Sequence, residues 1–490
     1  TATIEPENAT NQQIVWSSSD DDVVIVSQDG VVEAISDGTA TIKATTVDGN
    51  VTAECSVSIN SSDVFFILNT IQWENAINSI SQGSDTTNYT LMIVNDFEVS
   101  GTRVNTFGDR NDIYVTITGD QTISLSSDST GHLLMIGDDT QITIVLNDIG
   151  LRGHFENDAS LVYTGKNSIF VMQGPSSISG NRSGEFGGGG VDNKGVFTMK
   201  DHSSIFENLN EYQSGGYIHR NGGVFNSEEG VFTMTDNSSI YANTSFYIGG
   251  GVFNRGIFTM TNNSSISNNI ANSSGGGVAN VGGTFTMMEN ATISDNQAFA
   301  RYYMLIYDGG GGGVVNLGNF FMSDKSSISG NWTYTSGGGV YNASIFVMSD
   351  NASILENTTD RGPGAFYNSY GSFFMSGNSR IHGNKTSGLG VTNGYVLISE
   401  YATISGNSSG VSIGRYPEQF GDYFIEFIMS GGTIYGTIES GAPEEFANEI
   451  RALSGSFFQN IIIKYGDDQD ILPHIDGFPR FTNHTIYGRE

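Results

Sequence analysis

The sequence is poor in the residues that cross-link or stiffen small folds, because Cys55 is its only cysteine and it has only 7 prolines. A single cysteine excludes an internal disulfide, so a large packed core has to hold the chain together. Cys55 lies on the apolar side of the alternating run 51–59, and we expect a buried, unreactive thiol there. No apolar run is long enough to form a membrane-spanning helix.

Positive charge is scarce as well. The chain has 20 lysines and arginines against 52 aspartates and glutamates, which gives a formal net charge of −32. Such a surface repels nucleic acid and anionic membranes, and it does not suit a polyanionic substrate. We therefore expect no nucleic-acid partner. Solubility is the simplest role of this charge, and affinity for divalent cations is the alternative.

The first 60 residues alternate between apolar and polar positions in short runs separated by turns. Their motifs resemble those of the group-2 bacterial immunoglobulin-like domain. These motifs are Pro6–Thr10, Ile14–Ser19, Gly30–Val32, Gly38–Ile42 and Cys55–Val57. The resemblance implies a small β-sandwich that serves as a stalk or adhesion module of a surface protein. Because the family has one or two strands before the proline, we expect residues 1–60 to be an N-terminally truncated module, with any export signal or anchor upstream of Thr1.

An amphipathic helix is predicted directly after this module. Trp73, Ile77 and Ile80 are spaced so that they share one face of a helix, and Asn69 with Thr70 can cap its start. We expect a helix over residues 70–81, within a capping segment of residues 64–90. Short strand-like runs follow from residue 91 onwards.

A repeat with the consensus GGGVxNxGxFTMxxxSSISxN dominates the chain from about residue 165. Its motifs recur every 26, 27 or 35 residues, and the pattern of gaps repeats after 88 residues. A unit of this length with three strand-like pieces is typical of one coil of a parallel β-helix, in which stacked coils bury apolar positions that no single coil can bury. The methionines of successive units are Met172, Met199, Met234, Met260, Met287, Met322, Met348 and Met375.

Each position of the repeat has a predicted role. Met, Ile and Val fill the interior as stacked columns, and the asparagine of SISxN forms a ladder of hydrogen-bonded amides. The glycine triplets lie where the backbone bends tightly or neighbouring coils approach closely. Because crossovers between parallel strands are almost always right-handed, we predict an all-β, right-handed parallel β-helix over residues 91–445. Residues 446–490 lose the motif and are interpreted as a C-terminal cap.

The repeat half of the chain resembles the pectin-lyase-like superfamily of right-handed β-helices. Its GGGV motifs, such as Gly249–Val252, and its IxxN motifs, such as Ile266–Asn269, are similar to glycine-rich repeats of bacterial surface proteins. Together with the module and the helix, the chain resembles surface proteins of spirochaetes and gut bacteria. The resemblance implies an extracellular or cell-surface location. It also calls for a search for catalytic residues, since many members of this superfamily cleave polysaccharides.

No catalytic motif is found in the sequence: a Ser/His/Asp order, HExxH, a P-loop and metal-spaced Cys/His sets are absent. One acidic column, two residues after the methionine, offers a weak Ca²⁺ site, although local bonding to the backbone explains it better. Its members are Asp201, Asp236, Glu289, Asp324 and Asp350. We expect a non-enzymatic surface adhesion or structural protein that requires no cofactor. The alternatives are a polysaccharide lyase or glycoside hydrolase of the β-helix class, and a carbohydrate-binding protein without catalysis.

The best functional lead is a set of aromatic residues in the loops that follow SISxN, where the repeat varies in length. In stacked coils these loops emerge along one edge, and an exposed aromatic edge favours recognition of surface glycans or of proteins on a host or neighbouring cell. The alternative is that the loops pack on one another. The residues are Tyr212, Tyr217, Phe246, Tyr247, Phe299, Tyr302, Tyr303, Tyr307, Trp332 and Tyr334.

Overall fold

The computed structural model of the protein describes residues 11–35, 38–48, 51–59, 63–83, 87–184, 187–211, 220–300, 310–413, 425–434, 438–440 and 461–465. Within these residues the chain is mostly β-structure, with small antiparallel sheets at the N-terminus, a single helix and a parallel β-solenoid of about 12 turns. The predicted all-β fold built on a parallel β-helix is confirmed.

Five short strands form the N-terminal module: β1 (Ile14–Ser18), β2 (Val24–Val26), β3 (Val32–Ala34), β4 (Gly38–Thr46) and β5 (Thr52–Ile59). One antiparallel sheet has the order β1-β4-β5, and β2 pairs with β3 in another. Val23 and Val24 pack against Ala40 and Ile42 in a small core, and Trp16 lies against it. Alternation along β4 turns Ala40 and Ile42 to the same face, as in a half-buried strand.

The prediction that the thiol of Cys55 is buried is wrong. Cys55 is exposed, although its cross-strand partner Ile42 belongs to the core. β5 is an edge strand of its sheet, and residues 52–56 are all exposed. A period-2 pattern shows which residues share a face, but it does not show that a second layer covers that part of the sheet.

Each coil of the solenoid contributes strands to three parallel sheets and, in the repeat, to a short fourth ladder. The Phe-Met sheet consists of Asp63–Ile67, Asn88–Ile93, Ile113–Thr118, Ile142–Asn147, Ile169–Gln173, Val196–Met199, Val231–Met234, Ile257–Met260, Val278–Met287, Val314–Met322, Ile345–Met348, Phe366–Met375, Leu389–Ser405 and Ile425–Ile434. The Ser-Ile-Ser sheet consists of Phe97–Val99, Thr122–Leu125, Gly150–Arg152, Ser177–Ser179, Ser204–Phe206, Ser239–Tyr241, Ser265–Ser267, Thr292–Ser294, Ser327–Ser329, Ser353–Leu355 and Arg380–His382.

The Val-Asn sheet consists of Leu134–Ile136, Val162–Thr164, Val191–Asn193, Val224–Asn226, Val252–Asn254, Val340–Asn342, Val411–Ile413, Ile438–Ser440 and the first halves of the long strands that also enter the Phe-Met sheet. The fourth ladder, here called the edge ladder, consists of Arg182–Ser183, Leu209–Asn210, Thr244–Ser245, Ile270–Ala271, Gln297–Ala298, Trp332–Thr333 and Thr358–Thr359. In addition, Gly187–Gly188 pairs with Arg220–Asn221.

The stacking register is the one that the repeat predicts. Met260 pairs with Met287 of the next coil, and Ile266 pairs with Ile293, so each column keeps one position of the motif. These side chains are fully buried. The phenylalanine of FTM, for which no role was predicted, forms a further interior column. Its rings stack, as Phe197 and Phe232 do with centroids 4.7 Å apart and planes at 3°, and such pairs add to the hydrophobic gain of burial.

The helix Thr70–Gln82 covers the N-terminal end of this core and matches the prediction. The side chain of Asn69 accepts a hydrogen bond from the Gln72 N–H of the first turn, and the Gln72 side chain accepts one from the N–H of Leu68, the residue before the N-cap. Trp73 and Ile80 are buried against the solenoid. The strand Asp63–Ile67 precedes the helix and already pairs in parallel with Asn88–Ile93.

Two ladders of asparagine amides run through the interior. In the predicted ladder, Asn243 donates its backbone N–H (2.9 Å) and its Nδ2 (3.0 Å) to Oδ1 of Asn269 in the next coil. A second ladder, at the asparagine of GGGVxN, was not predicted. There Nδ2 of Asn226 donates to Oδ1 of Asn254 at 2.8 Å, and Asn254 donates in the same way to Asn280. The amides satisfy one another, so buried polar groups cost little.

The glycine triplets lie where two coils touch. Gly249 has φ +66°, a backbone conformation that favours glycine, and a Cβ on Gly250 would stand 2.3 Å from the Gly276 carbonyl oxygen of the next coil. A Cβ on the third glycine, Gly251, would stand 3.0 Å from Nδ2 of Asn269. Both predicted reasons for the triplets, tight bending and close approach, are therefore confirmed.

The C-terminal end of the described solenoid changes strand direction. Ile461–Tyr465 pairs antiparallel with Ile425–Ile434, the last parallel strand of the Phe-Met sheet. The other residues of the predicted cap, 446–490, lie outside the described residues. In the described part of the chain no helix is long and apolar enough to cross a membrane.

Candidate functional site

The predicted aromatic loops begin at the edge ladder. Backbone hydrogen bonds extend this ladder by one residue, because the N–H of Phe299 donates to the Ala271 carbonyl (3.0 Å) and that of Tyr334 donates to the Ala298 carbonyl (3.2 Å). Phe246 and Asn272 occupy the same position in earlier coils. We call Phe246, Phe299, Trp332 and Tyr334 the aromatic strip. Neighbouring rungs of such a ladder lie about 4.8 Å apart, so Phe299 and Tyr334 are adjacent, whereas Asn272 separates Phe246 from Phe299.

The C-terminal half of the strip is fixed by polar contacts. Phe299 and Trp332 meet edge to face at 5.3 Å between ring centroids. The Trp332 indole N–H donates to Oδ1 of Asp360 at 2.9 Å, and the guanidinium of Arg361 lies 4.9 Å from the centre of the Tyr334 ring. All three aromatic rings are half-buried. The aromatic rings in this half of the strip are therefore fixed in orientation, and one acidic and one basic side chain lie beside them.

The N-terminal half of the strip folds back onto the solenoid. Phe246 contacts Tyr247 edge to face at 5.0 Å. Tyr247 packs on a second apolar cluster outside the main core, which contains Ile248, Phe253 and Val315. Tyr247 therefore packs on the solenoid itself, as the alternative interpretation of the loops predicts. Of the remaining predicted residues, Tyr212, Tyr217, Tyr302, Tyr303 and Tyr307 lie outside the described residues.

The acidic column is a set of backbone caps. Asp201, Asp236, Glu289, Asp324 and Asp350 have φ between 54° and 58°, a left-handed conformation suited to a turn. Each of the five carboxylates accepts a backbone N–H of the preceding coil. The donors are Gly174 to Asp201 (3.0 Å), Asp201 to Asp236 (3.2 Å), Asn262 to Glu289 (2.6 Å), Glu289 to Asp324 (3.1 Å) and Asp324 to Asp350 (3.5 Å). No group of three or more metal-ligating side chains comes together among the described residues. The Ca²⁺ site stays a prediction.

A polar cluster on the outer face of the Val-Asn sheet was not predicted. The Tyr163 hydroxyl donates to Oδ1 of Asp138 at 3.0 Å, and Nζ of Lys194 lies 3.4 Å from Oδ2 of the same carboxylate. The Lys194 ammonium also lies 5.0 Å from the centre of the Tyr163 ring. Asp192 occupies the outward position of the next strand, directly beside Tyr163 in the register. Phe225 occupies the same position one coil later. An aspartate between two aromatic residues in this column is the sequence feature from which the cluster could have been predicted.

The electrostatics of this cluster favour protonated oxygens. Burial raises the pKa of the Asp192 carboxyl from 3.8 to about 7, although the Lys194 ammonium opposes that rise. Its Oδ1 is inaccessible to solvent and has no hydrogen-bond partner. Burial likewise raises the pKa of Tyr163 to about 12. The Tyr163 hydroxyl therefore stays protonated at neutral pH, and the Asp192 carboxyl is protonated up to about pH 7. The ammonium group of Lys194 pairs with the Asp138 carboxylate.

A histidine lies one coil before this cluster. Nδ1 of His132 is 2.7 Å from the carbonyl oxygen of Ser160, and its ring lies 5.6 Å from that of Tyr163. Burial lowers the pKa of His132, which favours the neutral imidazole. A neutral imidazole whose Nδ1–H donates to a carbonyl keeps Nε2 as an acceptor.

Comparison with known proteins identifies the N-terminal module. Residues 1–57 match the family described as bacterial Ig-like domain (group 2). An α-L-arabinofuranosidase of Bifidobacterium longum subsp. longum is 48% identical over 59 residues, which is 12% of this chain and 6% of that enzyme. An uncharacterized protein of Clostridium acetobutylicum is 43% identical over 70 residues, 14% of this chain and 7% of that protein. A second one from the same organism is 41% identical over 59 residues, 12% of this chain and 15% of that protein.

The similarity is thus confined to a short segment of each chain. The match to the arabinofuranosidase covers only the Ig-like region, and no solved structure matches the chain. Group-2 bacterial Ig-like domains are typical of bacterial surface proteins, and such a domain joined to a β-solenoid fits a surface or structural protein. Residues 1–57 are a group-2 bacterial Ig-like domain, and the residues that follow form a parallel β-solenoid.

Proposed function

We propose that the protein acts outside the cell as a non-catalytic adhesion protein that binds surface glycans through its aromatic strip. The observation that carries the proposal is the edge-to-face pair of Phe299 and Trp332, which lie diagonally on neighbouring coils of the edge ladder and stay partly open to solvent. Aromatic rings fixed by packing lose little conformational entropy when they bind, which is why they serve as anchors.

The side chains around the rings favour a sugar over an apolar partner. Gln297 is exposed and pairs with Trp332 of the next coil. Asn272 occupies the position of Phe299 in the coil before it. With Asp360 and Arg361 they supply donors and acceptors beside ring faces. Carbohydrate recognition needs this combination, because a pyranose presents an apolar C–H face and a rim of hydroxyl groups. Such a site is also compatible with a chain whose net charge of −32 disfavours polyanions.

A glycan array with the purified chain tests this proposal. We expect the double variant Phe299→Ala and Trp332→Ala to bind the best wild-type ligand at least tenfold more weakly, with an unchanged thermal midpoint. The matched control is the double variant Phe206→Ala and Tyr241→Ala, which removes a stacked, outward pair (5.0 Å) from the Ser-Ile-Ser sheet. Equal binding by all three proteins, or a loss of stability without a loss of binding, contradicts the proposal.

A carbohydrate-active enzyme is the second candidate. The observation that favours it is a pair of carboxyl groups, Asp192, which is protonated up to about pH 7, and Asp138, which lies two coils earlier on the same sheet. A screen for turnover of pectin, alginate and arabinan separates the two proposals. We expect no products from the wild-type chain. Turnover that disappears in Asp192→Asn establishes the enzyme and rejects the non-catalytic proposal.

A further inference from the structure

The outer face of the Phe-Met sheet is a second candidate surface, separate from the aromatic strip. Along each strand Phe and Met point inward and are fully buried, so the residues that alternate with them point outward. Over seven successive strands these outward residues are Ile169, Val171, Val196, Thr198, Val231, Thr233, Ile257, Thr259, Thr284, Thr286, Asn319, Phe321, Ile345 and Val347.

None of these 14 side chains is ionisable, although the chain as a whole has 52 acidic residues; the nearest charge in the same alternation is Lys200, which follows Thr198 at the end of its strand. It is also open to solvent: Ile257 is 53% exposed, and Ile169 and Val196 are each 40% exposed. An exposed apolar area of this length is uncommon on a soluble chain unless something binds there. Threonine adds hydroxyl groups to the same rows, so the face offers methyl groups and hydrogen-bonding groups side by side.

The face is regular as well as neutral. Val196 pairs with Val231 and then with Ile257, and Thr198 pairs with Thr233 and then with Thr259, so both rows run straight across the strands. Seven strands at the usual spacing span about 29 Å. Short side chains on a parallel sheet leave a broad, shallow surface. Such a surface matches an extended, flat partner better than a single small molecule.

The charges around the face select the partner. The acidic column, with Asp201, Asp236 and Asp324 among its members, lies two residues after the methionine of most of these strands and borders the face on one side. On the other side Lys166 and Arg255 are engaged in ion pairs with glutamates. A polyanion or a second copy of this chain is therefore repelled at the border, whereas a neutral partner meets no opposing charge. We propose that this face lies flat on a neutral, ordered polysaccharide surface.

The proposal does not depend on the aromatic strip. In each coil the Ser-Ile-Ser strand lies between the Phe-Met strand and the edge ladder in sequence and occupies its own sheet. The two surfaces therefore belong to different faces of the solenoid. A protein with both is able to hold a soluble glycan on one face and rest on a solid polysaccharide with another.

Retention on microcrystalline cellulose and on chitin particles tests the proposal. We expect the wild-type chain to bind at least one of these solids, and 1 M NaCl not to release it, since the contact uses no charges. The double variant Val196→Lys and Ile257→Lys, which puts two charges on the face, should bind at least tenfold more weakly. The double variant Ser204→Lys and Ser265→Lys makes the same charge change on the Ser-Ile-Ser face and should bind like the wild type.

The variants also separate this proposal from its competitors. Phe299→Ala with Trp332→Ala should leave retention on the particles unchanged, so a failed aromatic strip does not affect the outcome. Failure of the wild type to bind either solid, or equal loss in both lysine variants, overturns the proposal. So does sedimentation that shows a wild-type dimer which Val196→Lys with Ile257→Lys converts to a monomer, because a second copy is then the occupant.

Discussion

The coils before residue 165 and the repeat after it solve the same packing problem with different means. The earlier coils fill the interior with aliphatic side chains, such as Leu91, Val115 and Ile144. The repeat fills it with columns of Phe, Met and Ile and with two asparagine ladders. On the outside, the earlier coils have polar contacts that do not recur from coil to coil, among them the ion pair of Arg103 with Asp158.

The difference shows what repetition selects. In the repeat a residue has to be compatible with a copy of itself in both neighbouring coils, so side chains that stack or hydrogen-bond to their own kind are favoured. A charged residue in the interior would face a like charge about 4.8 Å away, whereas the acidic column lies outside and each of its carboxylates accepts a backbone N–H. Where the motif is absent this condition no longer applies. The titratable cluster of Asp138, Tyr163 and Lys194 accordingly lies in the last irregular coils and the first coil of the repeat.

The strongest test of the repeat breaks an interior column. Ile266 is fully buried between Ile240 and Ile293, so Ile266→Asp places an unpaired charge in the core and should cost about 5 kcal/mol of unfolding free energy. Ser267→Asp adds the same charge on the outward side of the same strand and should cost less than about 0.5 kcal/mol. Urea denaturation followed by circular dichroism measures both. Equal midpoints for the two variants would show that Ile266 is not in the core.

The asparagine ladder should be the next most sensitive feature. Asn269→Ala removes the acceptor for two bonds from Asn243 and the donors of its own amide, so buried polar groups lose their partners at a cost of about 3 kcal/mol. Asn263→Ala is the matched control, because its amide donates at 3.3 Å to Asn237 on the exposed surface. Denaturation midpoints of the two variants that differ by less than the experimental error would contradict the stabilising role of the ladder.

The polar cluster should make the stability of the solenoid depend on pH. Because burial raises the pKa of Asp192 from 3.8 to about 7, the folded chain keeps a proton that the unfolded chain releases in this interval. The unfolding free energy of the wild type should therefore fall as pH rises from about 4 to about 7, and stay at its lower value above that range. Asp192→Asn has no carboxyl group to titrate, so its unfolding free energy should not fall in this range. The difference in unfolding free energy between the variant and the wild type should therefore shift by about 2 kcal/mol in favour of the variant between pH 4 and pH 8, after allowance for solvent screening. Thermal midpoints of the two proteins measured at both pH values check this. A difference that does not change with pH means that Asp192 titrates normally.

The smallest expected effect separates backbone capping from metal binding in the acidic column. Asp236→Ala loses the bond from the Asp201 N–H (3.2 Å) and places alanine at φ 56°, which should cost about 1 kcal/mol. Asp236→Asn keeps an acceptor oxygen and tolerates the same backbone conformation, so its thermal midpoint should match that of the wild type. A midpoint that rises with Ca²⁺ in the wild type but not in Asp236→Asn would assign the column to a metal instead.

Sequence reasoning performed best where the motif repeats. The spacing of Met, Ile and Asn predicted the coil register, and Asn69 with Trp73 predicted the helix, because both depend on local periodicity. It failed where burial depends on a distant layer: Cys55 alternates correctly but lies on an exposed part of an edge strand. It also missed the cluster around Asp192, since Asp138 and Lys194 are 56 residues apart and meet only after two coils have been stacked.

The self-matching of the coils also bears on how such a chain can change its length. The pattern of gaps returns after 88 residues, so removal or duplication of one such block leaves Met opposite Met and Asn opposite Asn at the junction. No new core has to be designed, and the solenoid shortens or grows by three coils, about 14 Å. Genes that encode solenoids of this kind can therefore adjust the reach of the protein in fixed increments through unequal recombination, while both exposed faces keep their chemistry.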